Sequence, residues 1–299
     1  MADRSTKTKQ ESVPKVSARQ KRMICDGLSF AAAEAYKLLR TNLLFLLPED
    51  GCRTIGVSSS VQGEGKSTTS VNLAYTLAQT GKKVLLIEAD MRLPSIGSKL
   101  GLRTTPGLSD LLAGFASERD CMRPSGYFDN WLILPAGEIP PNPSELLGSE
   151  RMRILLTHYK TLFDYIILDL PPVNIVTDAL VVSKWSDGLI LTVRQNYTDK
   201  KAFNACIYQL QKLETRFLGF VMTDAASGKS GYGYGKYGKY GKYGKYGKKG
   251  YGYYGASHAS ASSDKDRAFI DAVGDRGDEK SFAVDDRADE DDFIVVDDE

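Results

Sequence analysis

The chain has 299 residues, 42% of them hydrophobic and 26% charged, with a formal net charge of +1. That length suits one large α/β domain or two small ones, and with no apolar run near the roughly 18–20 residues that cross a bilayer, no stretch is expected to span a membrane. The small net charge hides an uneven distribution: residues 228–255 carry seven lysines and no acid, residues 264–299 carry fifteen acids against five bases, and residues 1–227 are left at +4. Cys25, Cys52, Cys121 and Cys206 are scattered, with no CxxC and no histidine at metal-ligand spacing, which suits free thiols in a reducing compartment. The N-terminal stretch lacks the apolar core of a signal peptide. A cytoplasmic location is expected, with recruitment to the inner face of the cell membrane only through a partner. No nucleic-acid partner is expected.

In chain order, residues 1–28 are polar and basic and predict a flexible arm. Residues 29–47, SFAAAEAYKLLRTNLLFLL, place Ala, Leu and Phe at helical spacing. Short apolar runs then alternate with helical ones. TIGVSS (54–59) precedes KSTTSVNLAYTLAQTG (66–81), and KKVLLIEAD (82–90) precedes GLSDLLAG (107–114). NWLILPAG (130–137) precedes SELLGSERMRILLTHYKTLF (144–163), which reads as one helical segment. YIILDLPP, DALVVSKWSDG, LILTVRQ, KKAFNACIYQLQKLE and FLGFVMTDA complete the pattern to residue 225. Strand–helix alternation of this kind predicts an α/β fold with a doubly wound, mostly parallel sheet and helices on both faces. The strands are nearly continuous apolar runs, as buried parallel strands are. Beyond residue 226 neither the Gly/Tyr/Lys tract of 227–256 nor the acidic segment of 257–299 holds enough apolar residues for a core, so disordered tails are expected at both ends.

The segment SVQGEGKST (Ser60–Thr68) follows the first predicted strand and opens the first long helix after it. It meets the phosphate-loop pattern GxxxxGK[ST], with Ser60 where the first glycine would stand. The candidate ATP-binding residues are Ser60, Val61, Gln62, Gly63, Glu64, Gly65, Lys66, Ser67 and Thr68. Glycine lets backbone N–H groups curl around phosphate oxygens, and the helix N-terminus adds its own donors and positive dipole end. Lys66 is placed to bridge the β- and γ-phosphates and Ser67 to ligate Mg2+. Two further strands end in acids, one in Glu88 and Asp90, the other in Asp169. Ligands of open α/β sheets bind at the carboxyl ends of strands, so Ser67, Asp90 and Asp169 are candidate metal ligands. An acid after an apolar strand is also common as a solvated strand end, and each carries weight only together with the loop.

These motifs, with GLSDLLAG, LPAGEIPPNPSELLGS (134–149) and DLPPVNIVTDALVVSKWSDGLILTVRQNYT (169–198), give the chain a close resemblance to the bacterial tyrosine kinases. These are phosphate-loop enzymes of capsule and exopolysaccharide synthesis. The match runs from about residue 30 to 224. The resemblance implies a P-loop NTPase fold of the deviant-Walker type over residues 29–226, with ATP and Mg2+ as cofactors. Related positioning ATPases carry an extra lysine early in the loop, where this chain has Val61. The family's DxDxR motif is matched by Glu88, Asp90 and Arg92, which with Lys66 form the expected catalytic set. Asp90 is implied to share the magnesium with Asp169, and Glu88 to accept the proton of the attacking tyrosine. Glu88 departs from the family's Asp by one methylene, moving the carboxylate by roughly a bond length, and displacements of about 1 Å can cost on the order of 100-fold in rate. The family's ExxRxxR motif, which joins subunits into a ring, is matched by Glu34, Lys37 and Arg40, with Lys in place of the first Arg; taken alone, Glu34 and Lys37 read as a solvated i,i+3 pair.

Nine tyrosines, Tyr232, Tyr234, Tyr237, Tyr240, Tyr243, Tyr246, Tyr251, Tyr253 and Tyr254, lie on the glycine string. Without a kinase upstream they read as a self-associating or nucleic-acid-binding low-complexity tail. Beside a kinase domain they read as tethered phosphoacceptors. The expectation is an ATP-dependent tyrosine autokinase acting between subunits of a ring, regulating polysaccharide synthesis or export. A separate membrane-bound activator is implied, and other proteins can be substrates. The alternatives are a nucleotide-binding adaptor with weakened catalysis, or a positioning-type ATPase.

Overall fold

Apolar strands separated by helices assemble as one sheet between two helical layers in a computed structural model, which describes residues 24–225 except 49 and 214. The tyrosine tract, the acidic segment and most of the basic arm lie outside the described residues. After a 3-10 turn at Cys25–Gly27, the elements are α1 (Phe30–Leu46), β1 (Arg53–Ser59), α2 (Lys66–Ala78), β2 (Val84–Glu88), α3 (Ile96–Leu100) and α4 (Leu108–Ala113). They continue as α5 (Glu118–Cys121), β3 (Arg123–Pro124), β4 (Trp131–Leu134), α6 (Pro143–Gly148), α7 (Glu150–Tyr159), β5 (Tyr165–Asp169), α8 (Asp178–Ser183), β6 (Gly188–Arg194), α9 (Lys200–Lys212) and β7 (Phe217–Thr223).

The strand order is β3-β4-β2-β5-β1-β6-β7, parallel except for the short edge strand β3. Side chains alternate across a strand, so one run feeds two cores. In β2, Leu85 and Ile87 pack with Leu155 and Tyr159 of α7, Val182 of α8 and Leu210 of α9. Val84 and Leu86 face the other way, with Leu43 of α1 and Val71, Leu73 and Leu77 of α2. This is the doubly wound, mostly parallel sheet the sequence predicts.

Three local features differ from the sequence reading. The single helical run expected over 144–163 is two helices, because Ser149 turns extended (φ −70°, ψ 157°) and its side chain caps α7 by accepting from Met152 N–H. The antiparallel pairing of Arg123 with Ile133 and the short α3 and α5 had no periodic signal. β7 is not covered on both sides: Phe217, Phe220 and Met222 are exposed at the sheet edge.

Register positions the site. β1 and β2 flank β5, pairing Val57 and Glu88 with Asp169. The acids that close β2 and β5, and the loop that follows β1, therefore share one end of the sheet.

Candidate nucleotide site

The turn after β1 contains two residues in the left-handed region, Gly63 (φ 85°) and Gly65 (φ 93°), where a side chain would be strained. Gly65 caps α2, so Lys66 is its first residue. Between the glycines, Glu64 is fully buried and turns its carboxylate into the loop. Its Oε2 accepts Ser60 N–H at 2.7 Å and Val61 N–H at 3.1 Å, its Oε1 accepts Ser60 Oγ at 2.9 Å, and Thr198 Oγ1 donates to it as well. The side chain of this expected ATP-binding residue thus holds the loop's shape and leaves only its backbone for a phosphate. Outside, Tyr197 Oη donates to Gln62 O at 3.1 Å and Thr223 Oγ1 to Glu64 O at 2.7 Å.

Lys66 Nζ lies 2.7 Å from Asp90 Oδ2 and 3.7 Å from Asp169 Oδ2. Burial alone would lower the lysine's pKa, but the two carboxylates outweigh it and raise it. Burial raises Asp169, opposed by Lys66. Ser70 Oγ donates to Asp169 Oδ1 at 3.1 Å, whereas Oδ2 is buried without a hydrogen-bond partner. Lys66, at 3.7 Å, offsets its charge without hydrogen-bonding it, so the oxygen stays open to a ligand, and with Asp90 and the Ser67 hydroxyl it gives the hard oxygen donor set that Mg2+ takes. Among the described residues no group of three or more His, Cys, Asp or Glu could hold a metal alone; phosphate and water oxygens would complete the shell, as is usual for Mg2+. The residues fit Mg2+ with a nucleoside triphosphate.

A cleft of about 380 Å³ opens above these groups, lined by Gln62, Gly63, Gly65, Lys66, Ser67, Thr68, Asp90, Arg92, Lys99 and Pro171 among others. Arg92 is clamped at its wall: Nε lies 2.9 Å from Asp178 Oδ2, and Nη2 donates to Asp178 Oδ1 at 3.1 Å and to Ser144 Oγ at 3.2 Å. Glu88 stands apart from the other expected catalytic residues. It is fully buried, does not line the cleft, and accepts from the backbone N–H groups of Ser95, of Ile96 at 2.6 Å and of Ala136 at 3.4 Å. Burial outweighs those donors and pushes its pKa up to about 7.

Glu34 and Lys37 of α1 form an exposed ion pair at 2.7 Å, while Arg40 Nη1 turns to Thr76 O at 2.6 Å and ties α1 to α2. The three therefore do not present one outward face here. The nine expected phosphoacceptor tyrosines lie outside the described residues. Sequence reasoning missed Asp178 and Ser144, the partners of Arg92, although both fall inside the stretches that carry the family resemblance. It also missed Thr198 and Thr223, which brace the loop from 130 residues or more away, and Lys99. Thr198 closes the last of those stretches, and no local pattern marks Thr223 or Lys99.

A phosphate loop opening a helix, a lysine held by two strand-end carboxylates and an open cleft above them define a P-loop nucleotide-binding α/β domain. Residues 52–218 match a family profile described as an AAA domain. The chain is 36% identical over 205 residues to tyrosine-protein kinase YwqD of Bacillus subtilis (strain 168), covering 68% of this chain and 85% of that one. It is 35% identical over 206 residues to tyrosine-protein kinase CpsD of Streptococcus agalactiae serotype Ia, covering 67% and 85%. The kinase domain of Escherichia coli tyrosine kinase ETK is similar in structure, with a TM-score of 0.64 at 29% identity over 77% of this chain and 89% of that one. The chain belongs to the bacterial protein-tyrosine kinases built on an AAA domain.

Proposed function

We propose that the chain transfers the γ-phosphoryl group of Mg·ATP to tyrosines 232–254 of its own kind, between subunits, and that this regulates capsular or exopolysaccharide synthesis. The observation that carries the reading is the Lys66–Asp90–Asp169 constellation at the mouth of the loop. Loop N–H groups and Lys66 hold the β- and γ-phosphates, and Ser67, Asp90 and Asp169 supply oxygen ligands to Mg2+. Bound Mg2+ supplies charge neutralisation on the phosphates. Arg92, fixed by Asp178 and Ser144, sets the wall of the cleft beside the entering tyrosine. Phosphoryl transfer has a loose transition state that asks little of a base. Asp90 is the carboxylate that borders the cleft, and Glu88 braces the Ser95–Ile96 turn behind it.

Incubation with Mg·ATP, with and without the cytoplasmic segment of a membrane-bound activator, followed by mass spectrometry, tests the reading. Phosphotyrosine within 232–254 that disappears in Lys66→Met is expected. ATP turnover without phosphotyrosine would give the positioning-ATPase reading instead. The inward-turned Glu88 favours a second reading, a nucleotide-binding adaptor with little catalysis; it predicts nucleotide binding and no transfer under every condition.

A further inference from the structure

The phosphate loop contains one lysine, and Lys66 is already compensated by two carboxylates. A nucleoside triphosphate brings about four negative charges at neutral pH, against two positive on Mg2+, so the cleft has room for another cation. A second ammonium group is present. Lys99, in the last turn of α3, lines the same cleft, and its Nζ is held by Ser95 Oγ at 2.8 Å. Ser95 is fixed in turn through its N–H, which donates to the buried Glu88. Lys99 forms no ion pair with a carboxylate among the described residues. Burial lowers its pKa, Asp169 opposes that, and the charge on Lys66 adds to the lowering. Two ammonium groups facing one cleft, only one of them paired, are a costly arrangement without an anion.

We propose that Lys99 is a second phosphate-binding cation, contacting the γ-phosphoryl group of a bound nucleoside triphosphate from the α3 side of the cleft. This rests on the nucleotide-site reading above and adds a residue to it. Glu88 and Ser95 then act as positioning residues that hold the α3 turn and thereby the lysine.

The test is equilibrium binding of Mg·ADP and of a non-hydrolysable Mg·ATP analogue to the full chain, as wild type, Lys99→Met and Lys99→Arg. A charge-assisted contact to the third phosphate predicts that Lys99→Met loses about tenfold in affinity for the triphosphate. ADP affinity should change less than about twofold, which also shows that the variant folds, and Lys99→Arg should recover most of the loss because it keeps the charge. Equal losses for both nucleotides, or no loss for either, would overturn the proposal and leave Lys99 as a tether for Ser95. A wild type that binds neither nucleotide would overturn the site reading itself, and this inference with it.

Discussion

Glu64 carries a charge in the middle of a loop that must attract an anion, and its burial resolves the conflict. The carboxylate is spent on Ser60 and Val61 N–H groups and on Thr198, so it shapes the loop without facing a phosphate. Glu64→Ala should cost about 1–3 kcal/mol, because the Ser60 and Val61 N–H groups lose their buried acceptor; chemical denaturation of the nucleotide-free protein measures it, and a change under about 0.5 kcal/mol would sink this role. Lys66→Met should remove nucleotide binding and also lower stability by about 3 kcal/mol, since Asp90 and Asp169 lose their counter-charge while still buried. The four thiols are a third case. Burial pushes Cys25, Cys52, Cys121 and Cys206 up to about 12, so none is a ready nucleophile. With the folded pKa above the unfolded value of about 8.5, their contribution to stability is whole below that pH and is lost as pH rises from there towards 12. Alkylation at pH 8 followed by mass should therefore be slow for all four, with Cys52, the least buried, first; immediate labelling of Cys206 would contradict the packing.

At the scale of elements, the stretches GLSDLLAG and LPAGEIPPNPSELLGS prove to be two sides of one junction. Leu108 N–H donates to Pro135 O at 2.8 Å and Ser109 N–H to Ala136 O at 2.9 Å. The chains approach so closely that a Cβ on Gly107 would lie 2.3 Å from Gly137 N and 2.4 Å from Pro135 O. Backbone cannot yield as a side chain would, so Gly107→Ala should cost at least about 1–3 kcal/mol. It should also disturb Ala136 and thereby Glu88. A thermal unfolding midpoint within a degree of wild type would refute the close approach. The tie from Arg40 to Thr76 O belongs to the same scale: Arg40→Ala should loosen α1 from α2 by about 1 kcal/mol. A change in oligomer size without that loss would instead speak for the ring role.

For the whole molecule, the last described strand ends against the phosphate loop. Thr223 bonds Glu64, Arg194 clasps Asp224 at 3.0 Å, and the tyrosine tract follows within ten residues. A Gly-rich coil of about 25 residues has an r.m.s. span of about 25–30 Å, enough to enter a neighbouring site. Each phosphotyrosine adds about −1.5 to −2, so nine would add roughly −13 to −18 and reverse the +7 of the tract. Phosphorylation is then expected to turn the tract's attraction for neighbouring acids into repulsion and to loosen subunit contacts. Light scattering of wild type against a variant with all nine tyrosines changed to Phe, with and without Mg·ATP, should show wild type alone becoming smaller. No change in either would end the charge-switch idea.

Much of this was legible in one dimension, because strands buried on both faces must be apolar runs and a phosphate loop must place glycines and lysine at fixed spacing. Lys66, Asp90 and Asp169 were found for that reason. Thr198, Thr223 and Asp178 were not, since each acts through a partner 86 or more residues away, and Lys99 was not, since a lysine in a short helix carries no signal that it faces a cleft. The direction of a side chain was equally beyond reach: Glu88 sits where the motif puts an acid, yet neighbouring N–H groups of the Ser95 turn and Ala136 draw it away from the cleft. The sheet, the loop and the charges brought to it follow from local periodicity and residue chemistry, and so could be read from the order of residues. Which of those charges face the cleft and which brace it from behind emerges on folding, because it depends on which distant backbone donors come within about 3 Å.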